Sequence, residues 1–367
     1  MNIVYGVSGE GLGHVFEAIE IGRILKADGH QLKMLTFGDR ACASLAEFEP
    51  TRIEGIHLCF DESGLSLSLT FRKNIRFFPF FLANTRRLMR EIRAFQPDAF
   101  ITAYEPFTTL ASHWLRKPLI SMDNQNELRD LPPPRGANAF AFHLARLTTR
   151  VVTCGAQDYI VKSFDRRGLV SGRRHLVAPI IQGEIRRIRP TTGSHVLVYL
   201  TKPNPELIEV LKSMDETFVV YCHNRVGEEK NITYRAQGPG FLADLAGCKA
   251  VIGTAGFSLI ADSIFLRKPY FAVPLRKQFE QTHNAAFLEK SGLGESSESV
   301  SRERLSRFLA RLPHYRERLG RRDFDPAEQE ETLRGLLAKI GAGCAADAEG
   351  GVTATFPGTG EAEAGRR

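Results

Sequence analysis

His14 follows the glycine-rich run Gly6 to Gly13, GVSGEGLG, and an acid, Asp262, and an acid–amide pair, Glu280 and Gln281, come far downstream. Imidazole ionises close to neutral pH, so a histidine held over a loop of small residues can take a proton from a bound hydroxyl. Within that loop Gly11 and Gly13 are the candidates for close approach of a ligand, because they carry no Cβ. The second constellation is Thr254-Ala255-Gly256-Phe257-Ser258, a small-residue turn between the apolar run Ala250 to Gly253 and a helical pattern. Free N–H groups at the start of such a helix, at its positive dipole end, accept a pyrophosphate, and the hydroxyls of Thr254 and Ser258 add donors. Asp262, farther along the same helix, offers paired acceptors that suit the two hydroxyls of a ribose. Glu280 and Gln281 follow the strand pattern Tyr270 to Pro274 and can grip sugar hydroxyls. Each feature also has a plainer reading. His14 fits a hydrogen bonder at a helix start, and the turn fits an ordinary strand-turn-helix with polar surface residues.

Two platforms are needed to bring these residues together. A chain of 367 residues, 43% hydrophobic and 25% charged, suits two soluble domains better than one core. Strand and helix patterns alternate, which predicts α/β domains with doubly wound parallel sheets. Strands are expected near residues 2 to 6, 32 to 36, 98 to 103, 118 to 122 and 150 to 154, then at Arg174 to Pro179. The second half starts with His195 to Leu200 and continues with Thr217 to Tyr221 and Asn231 to Tyr234. The expected division is 1–182, 195–340 and a tail, 341–367, whose Ala, Gly, Glu and Thr cannot bury enough to order themselves. Two such domains face each other across a cleft at the carboxyl ends of their strands, where open α/β sheets bind ligands.

Other residues fall at that cleft. Thr201 and His223 each follow a strand of the second domain. The loop Gln237 to Phe241, with Gly238 and Phe241, can read the edge of a base and pack on it, or be a plain glycine-proline turn. Asp123, Asn124 and Gln125 follow a strand of the first domain and face the acceptor side. Residues 71–94 interleave arginines with phenylalanines. That segment fits a surface helix with an apolar underside, a patch for an anionic membrane, or the lining of a pocket.

The motifs GEGLGH, TAGFSLIAD and VPLRKQFEQTHNAAFLEKSGLG together resemble inverting nucleotide-sugar glycosyltransferases of the GT-B fold, over residues 1 to about 340. The likeness is greatest to the bacterial group that includes the N-acetylglucosaminyltransferase completing lipid II, in glycosyltransferase family 28. The resemblance implies a metal-independent hexosyltransferase that uses a UDP-sugar as substrate, with no cofactor, and a hydroxyl-bearing acceptor that is a small molecule or lipid-linked. It makes His14 the base, assigns Thr254, Ala255, Gly256 and Ser258 to the diphosphate and Asp262 to the ribose, and sets Glu280 and Gln281 near the sugar. Relatives close a strand near residue 103 with an aspartate that orients the base; here Glu105 is the candidate. Relatives also carry glutamate where this chain has Asp262.

The net charge of +7 favours anionic ligands, yet the basic residues are spread along the chain and no nucleic-acid motif occurs. No apolar run reaches the length of a membrane span and no leader pattern opens the chain, so a cytoplasmic protein is expected, peripheral at the inner membrane face if 71–94 touches lipid. Six cysteines without a C-x-x-C pair suggest neither zinc nor a disulfide framework. Asp323-Phe324-Asp325 precedes Pro326 in the order of a helix cap and is not read as a metal site. A sugar-nucleotide epimerase or a non-catalytic transferase partner would share the architecture. The joint presence of His14, Asp262, Glu280 and Gln281 favours a transferase.

Overall fold

The computed structural model describes residues 1–9, 13–54, 60–61, 64–65, 72, 84–129, 139–164, 172–222, 225–238, 240–275, 278–321 and 327–350. The first half runs β1 (Asn2–Val7), α1 (Gly13–Ala27), β2 (Gln31–Thr36), α2 (Asp39–Ser44), β3 (Thr51–Arg52), a small ribbon of β4 (Phe60–Asp61) and β5 (Gly64–Leu65), and a helix α3 over 84–95. It continues with β6 (Ala99–Ala103), α4 (Pro106–Leu115), β7 (Leu119–Asp123), α5 (Ala139–Val152), β8 (Asp158–Lys162), β9 (Arg174–Val177) and α6 (Gly183–Arg187). The second half runs β10 (Val196–Leu200), α7 (Pro205–Lys212), β11 (Phe218–Cys222), β12 (Gly227–Glu229), β13 (Ile232–Tyr234), α8 (Gly240–Gly247) and β14 (Ala250–Gly253). After these come α9 (Phe257–Phe265), β15 (Tyr270–Ala272), α10 (Phe279–Ser291), β16 (Gly294–Ser296), α11 (Arg302–Ala310), α12 (Leu312–Gly320) and α13 (Glu328–Gly350).

Two seven-stranded sheets result, ordered β3-β2-β1-β6-β7-β8-β9 and β12-β13-β11-β10-β14-β15-β16. All pairs in them are parallel except β12 with β13. β6 and β7 are buried along their whole length, as strands covered by helices on both faces must be, and their sequences AFITA and LISMD show no polar alternation. The order of strands reverses between β1 and β6 in one sheet and between β10 and β14 in the other. Crossovers there leave on opposite faces and open a crevice at the strand ends. The glycine loop follows β1, and Thr254 follows β14.

The strand expected at 150–154 is instead the last turn of α5 and the residues after it. Phe142, Thr149 and Val152 are its buried positions, a helical spacing and not an alternating one. The strand is β8, whose Tyr159 to Lys162 form an unbroken buried run. The stretch 183–194, between the two expected domains, contains the short helix α6, which buries Ile185 in the second core. Helix α13 extends to Gly350, so 341–350, expected to be disordered tail, is helical; 351–367 lie outside the described residues, as do 322–326 with Asp323 and Asp325.

Helix α13 also crosses between the two halves of the chain. Leu333, Leu336 and Leu337 are buried in the core beneath β1 and α1, and Arg334 pairs with Asp28 at 2.7 Å. Helix α13 therefore completes the first core. Replacing a buried leucine by alanine removes its transfer energy and leaves a cavity. Leu333→Ala is expected to destabilise the chain by about 2–5 kcal/mol in urea unfolding, with the loss in the transition of the N-terminal sheet. A change confined to the C-terminal sheet would contradict this packing.

Candidate functional site

The turn after β14 is fastened on several sides. A Cβ on Gly253 would stand 2.5 Å from the Tyr270 hydroxyl and 3.1 Å from the Tyr199 carbonyl, so only glycine fits. The Thr254 carbonyl accepts from the Tyr270 hydroxyl at 2.6 Å, and the Ala255 carbonyl accepts from Asn284 Nδ2 at 2.9 Å. Gly256 caps α9 in an extended conformation with no side-chain acceptor on the first N–H groups. A Cβ added to Gly256 would meet no atom within 4 Å, so the uncapped helix start borders open space. Fixed donors beside open space form an anion site. Phe257 packs inward on Phe164, with ring centroids 4.3 Å apart, and so holds α9 against the first domain.

Asp262 is 7% exposed, and its carboxyl has no hydrogen-bond partner among the described residues. Burial, with the charge of Glu17 second, pushes it up to about 8. Ionising an acid held so far from solvent is costly.

The start of α1 meets the start of α9: a Cβ on Gly13 would lie 2.6 Å from Ser258 Oγ. His14, next in α1, stacks on Tyr104 with ring centroids 6.3 Å apart and planes at 10°. Its Nε2 lies 3.3 Å from Gln125 Nε2, while its Nδ1 is buried without a partner. Burial, reinforced by the positive charge of Lys162, lowers its pKa to about 3, so the imidazole is neutral at physiological pH. Neutral imidazole is the form that accepts a proton.

Glu105 does not serve His14. Its carboxylate caps α4, accepting from Phe107 N at 2.8 Å, from Thr108 N at 2.7 Å and from the Thr108 hydroxyl at 2.5 Å. Pro106 follows at the first helical position, so Glu105, the candidate for orienting His14, is instead the cap of a helix start.

Glu280, in the first turn of α10, is met from across the cleft. Asn124 Nδ2 donates to one carboxylate oxygen at 3.0 Å and Gln125 Nε2 to the other at 3.3 Å. Gln281 turns inward, its Oε1 accepting from Leu275 N at 2.9 Å. Asp123 is buried, accepting from Ser121 Oγ and from the backbone and side chain of Asn126, and supports the turn that presents Asn124 and Gln125. Phe241 lies edge-on to Tyr199 and Tyr221, and Gly238 and Thr201 are exposed. Gly11 and His223 lie outside the described residues. The structure thus brings His14, Gly13, Ser258, Asn124, Gln125 and Glu280 together, with Asp262 beside them through Glu17.

Sequence reading passed over Glu17, which is buried and paired with Lys162, itself 1% exposed. The signal was present: Glu17 occupies a buried helix position among Val15, Ala18 and Ile21. Tyr104 carries no such signal; its left-handed φ of 58° is set by the tight turn into α4. Among the described residues no group of three or more His, Cys, Asp or Glu could hold a metal, and no helix is long and apolar enough to cross a membrane.

This geometry can be set beside known proteins. An uncharacterized glycosyltransferase of Methanosarcina mazei is 22% identical over 332 residues, covering 80% of this chain and 85% of that protein. The glycotransferase of kitacinnamycin is similar in structure with a TM-score of 0.63 at 17% identity, covering 92% of this chain and 98% of its own. The glycosyltransferase VinC in complex with dTDP gives 0.61 at 14% identity, covering 93% and 99%. These likenesses carry the two-domain GT-B fold. The model of glycosyl transferase family 1 matches residues 1–313, most of the length that holds both sheets and the cleft. The chain belongs to glycosyl transferase family 1.

Proposed function

We propose that this chain moves a hexose-type sugar from a nucleoside diphosphate donor to a hydroxyl of a small-molecule or lipid-linked acceptor, with inversion and without a metal. The observation that carries the reading is the uncapped start of α9 beside open space, directly against the turn that bears His14. The N–H groups at Phe257 and Ser258 and the Thr254 hydroxyl hold the diphosphate and stabilise it as it leaves. His14 takes the proton of the acceptor hydroxyl on the opposite face of the anomeric carbon. Residues 1–182 supply the acceptor side and 195–340 the donor side. Glu280 binds sugar hydroxyls, exchanging for them its bonds to Asn124 and Gln125. UDP-sugars are the first donors to test. The dTDP in the VinC complex makes thymidine diphosphate sugars the second. The narrower likeness to the lipid II group rests on motifs alone and leaves both acceptor types open.

The direct test is sugar transfer with UDP- and dTDP-sugars to a panel of hydroxyl acceptors, with the anomeric configuration of the product read by NMR. His14→Ala is expected to lower kcat by about 100- to 10,000-fold while the protein still binds the nucleoside diphosphate. Unchanged turnover in that variant would remove His14 from the chemistry.

Asp262 gives a second test, through its ionisation. Between the ordinary aspartate range and about 8 the folded chain keeps a proton that the unfolded chain releases. Asp262 therefore lowers stability increasingly as pH rises through that window. Asp262→Asn is expected to raise Tm by roughly 2–4 °C at pH 8, with the gain fading towards pH 4. The same variant should weaken donor binding by about 10-fold or more, because an acceptor for the ribose hydroxyls is lost. Lower stability at pH 8 with full donor affinity would refute the assignment.

A further inference from the structure

His14 has no carboxylate hydrogen-bonded to its ring, since Nδ1 is unpartnered and Glu105 is committed to α4. Something else has to hold the base in place. Glu17 lies three residues on from His14 in α1, so it projects from nearly the same side of the helix. Its Oε2 is bonded to Lys162 Nζ. Lys162 is the last residue of β8, beside β7, and β7 leads directly to the Gln125 that touches His14. The pair therefore ties the first turn of α1 to the same sheet edge that presents Gln125.

The pair is also the centre of charge in the cleft. The ionisable groups around His14 come from several elements: Glu17 in α1, Tyr104 after β6, Lys162 in β8, Asp262 in α9 and Glu280 in α10. Lys162 is the cation among them and Glu17 is coupled to both Asp262 and Glu280. Burial raises the Glu17 carboxyl and Lys162 draws it back down. Both members are too deeply buried to reach solvent in exchange for each other, so the contact is kept as a unit.

We propose that Glu17 and Lys162 are positioning residues whose buried pair clamps the first turn of α1 to the end of β8 and replaces the orienting carboxylate that His14 lacks. This rests on the reading of His14 as the base. Lys162 then has a second effect, because its charge opposes protonation of the ring and holds the imidazole ready as a base. Glu17 fastens; Lys162 fastens and tunes.

The test is NMR titration of the His14 ring in the full chain, with its signals identified by their loss in His14→Gln, for Glu17→Gln, Lys162→Met and the double variant. In the parent, His14 is expected to stay neutral down to the acid limit of the fold. Wherever Lys162 is lost, in the single or the double variant, the midpoint is expected to rise by about 1 pH unit or more. In Glu17→Gln it should not rise, although transfer should fall in kcat and not in donor KM. Should Lys162→Met fail to fold, the double variant, which leaves no buried charge unpaired, carries the test. A ring that stays neutral to the same acid limit in the folded double variant as in the parent, or the same rise in Glu17→Gln, would overturn the proposal. The titration needs neither donor nor acceptor. A shifted midpoint in a chain that transfers no sugar would count against the transferase reading and not against the pair.

Discussion

The contact on which the cleft depends is the meeting of two helix starts, Gly13 of α1 against Ser258 of α9. Each helix begins where its sheet reverses strand order, and each brings the positive end of its dipole to the same place. Gly13 permits the approach, because any side chain there would drive into the Ser258 hydroxyl. Two like dipole ends in one crevice require negative charge nearby. The carboxyl groups of Glu17, Asp262 and Glu280 gather around them, and Lys162 is paired with Glu17.

The neighbouring residues follow from that constraint. Asn124 and Gln125 reach across to Glu280, His283 lies 3.4 Å from Glu127, and Phe164 stacks between Phe257 and Phe287. The two sheets are thus linked by polar contacts at the rim and by aromatic packing below it. Helix α13 adds a link by putting leucines from the end of the chain into the first core. Some of the costly features of the chain fall at the site itself. Asp262 is a buried acid, His14 Nδ1 and Gln125 Oε1 are buried and unpartnered, and Tyr104 has left-handed backbone. Natural chains retain such costs where function needs them.

Much of this was legible in the residues. The apolar runs at 2–6, 98–103 and 195–200 predicted buried parallel strands, and small residues at 254–256 predicted a turn that tolerates close approach. Those features are local, so periodicity and composition expose them. Misreadings arose where two elements share a vocabulary. Arg150, Val151 and Val152 are as good a strand end as a helix end, and only the burial of Phe142 and Thr149 on the same side decides for α5. Glu105 reads as a free acid until Pro106 and Thr108 reveal a cap. The partnership of Glu17 with Lys162 spans 145 positions, and no local pattern announces a long-range pair. An acid at a buried position of an otherwise apolar helix face was the one available hint.

The central claim is that the start of α9, held against α1, is the seat of a diphosphate. Calorimetric titration of the intact chain with uridine, UMP and UDP, and with the thymidine series in parallel, tests it most directly. The account predicts that affinity climbs with each phosphate in at least one series, and that the increment from the second phosphate shrinks when Thr254 is replaced by valine, which removes the hydroxyl donor at the turn. Equal affinities for nucleoside and nucleoside diphosphate in both series would contradict it.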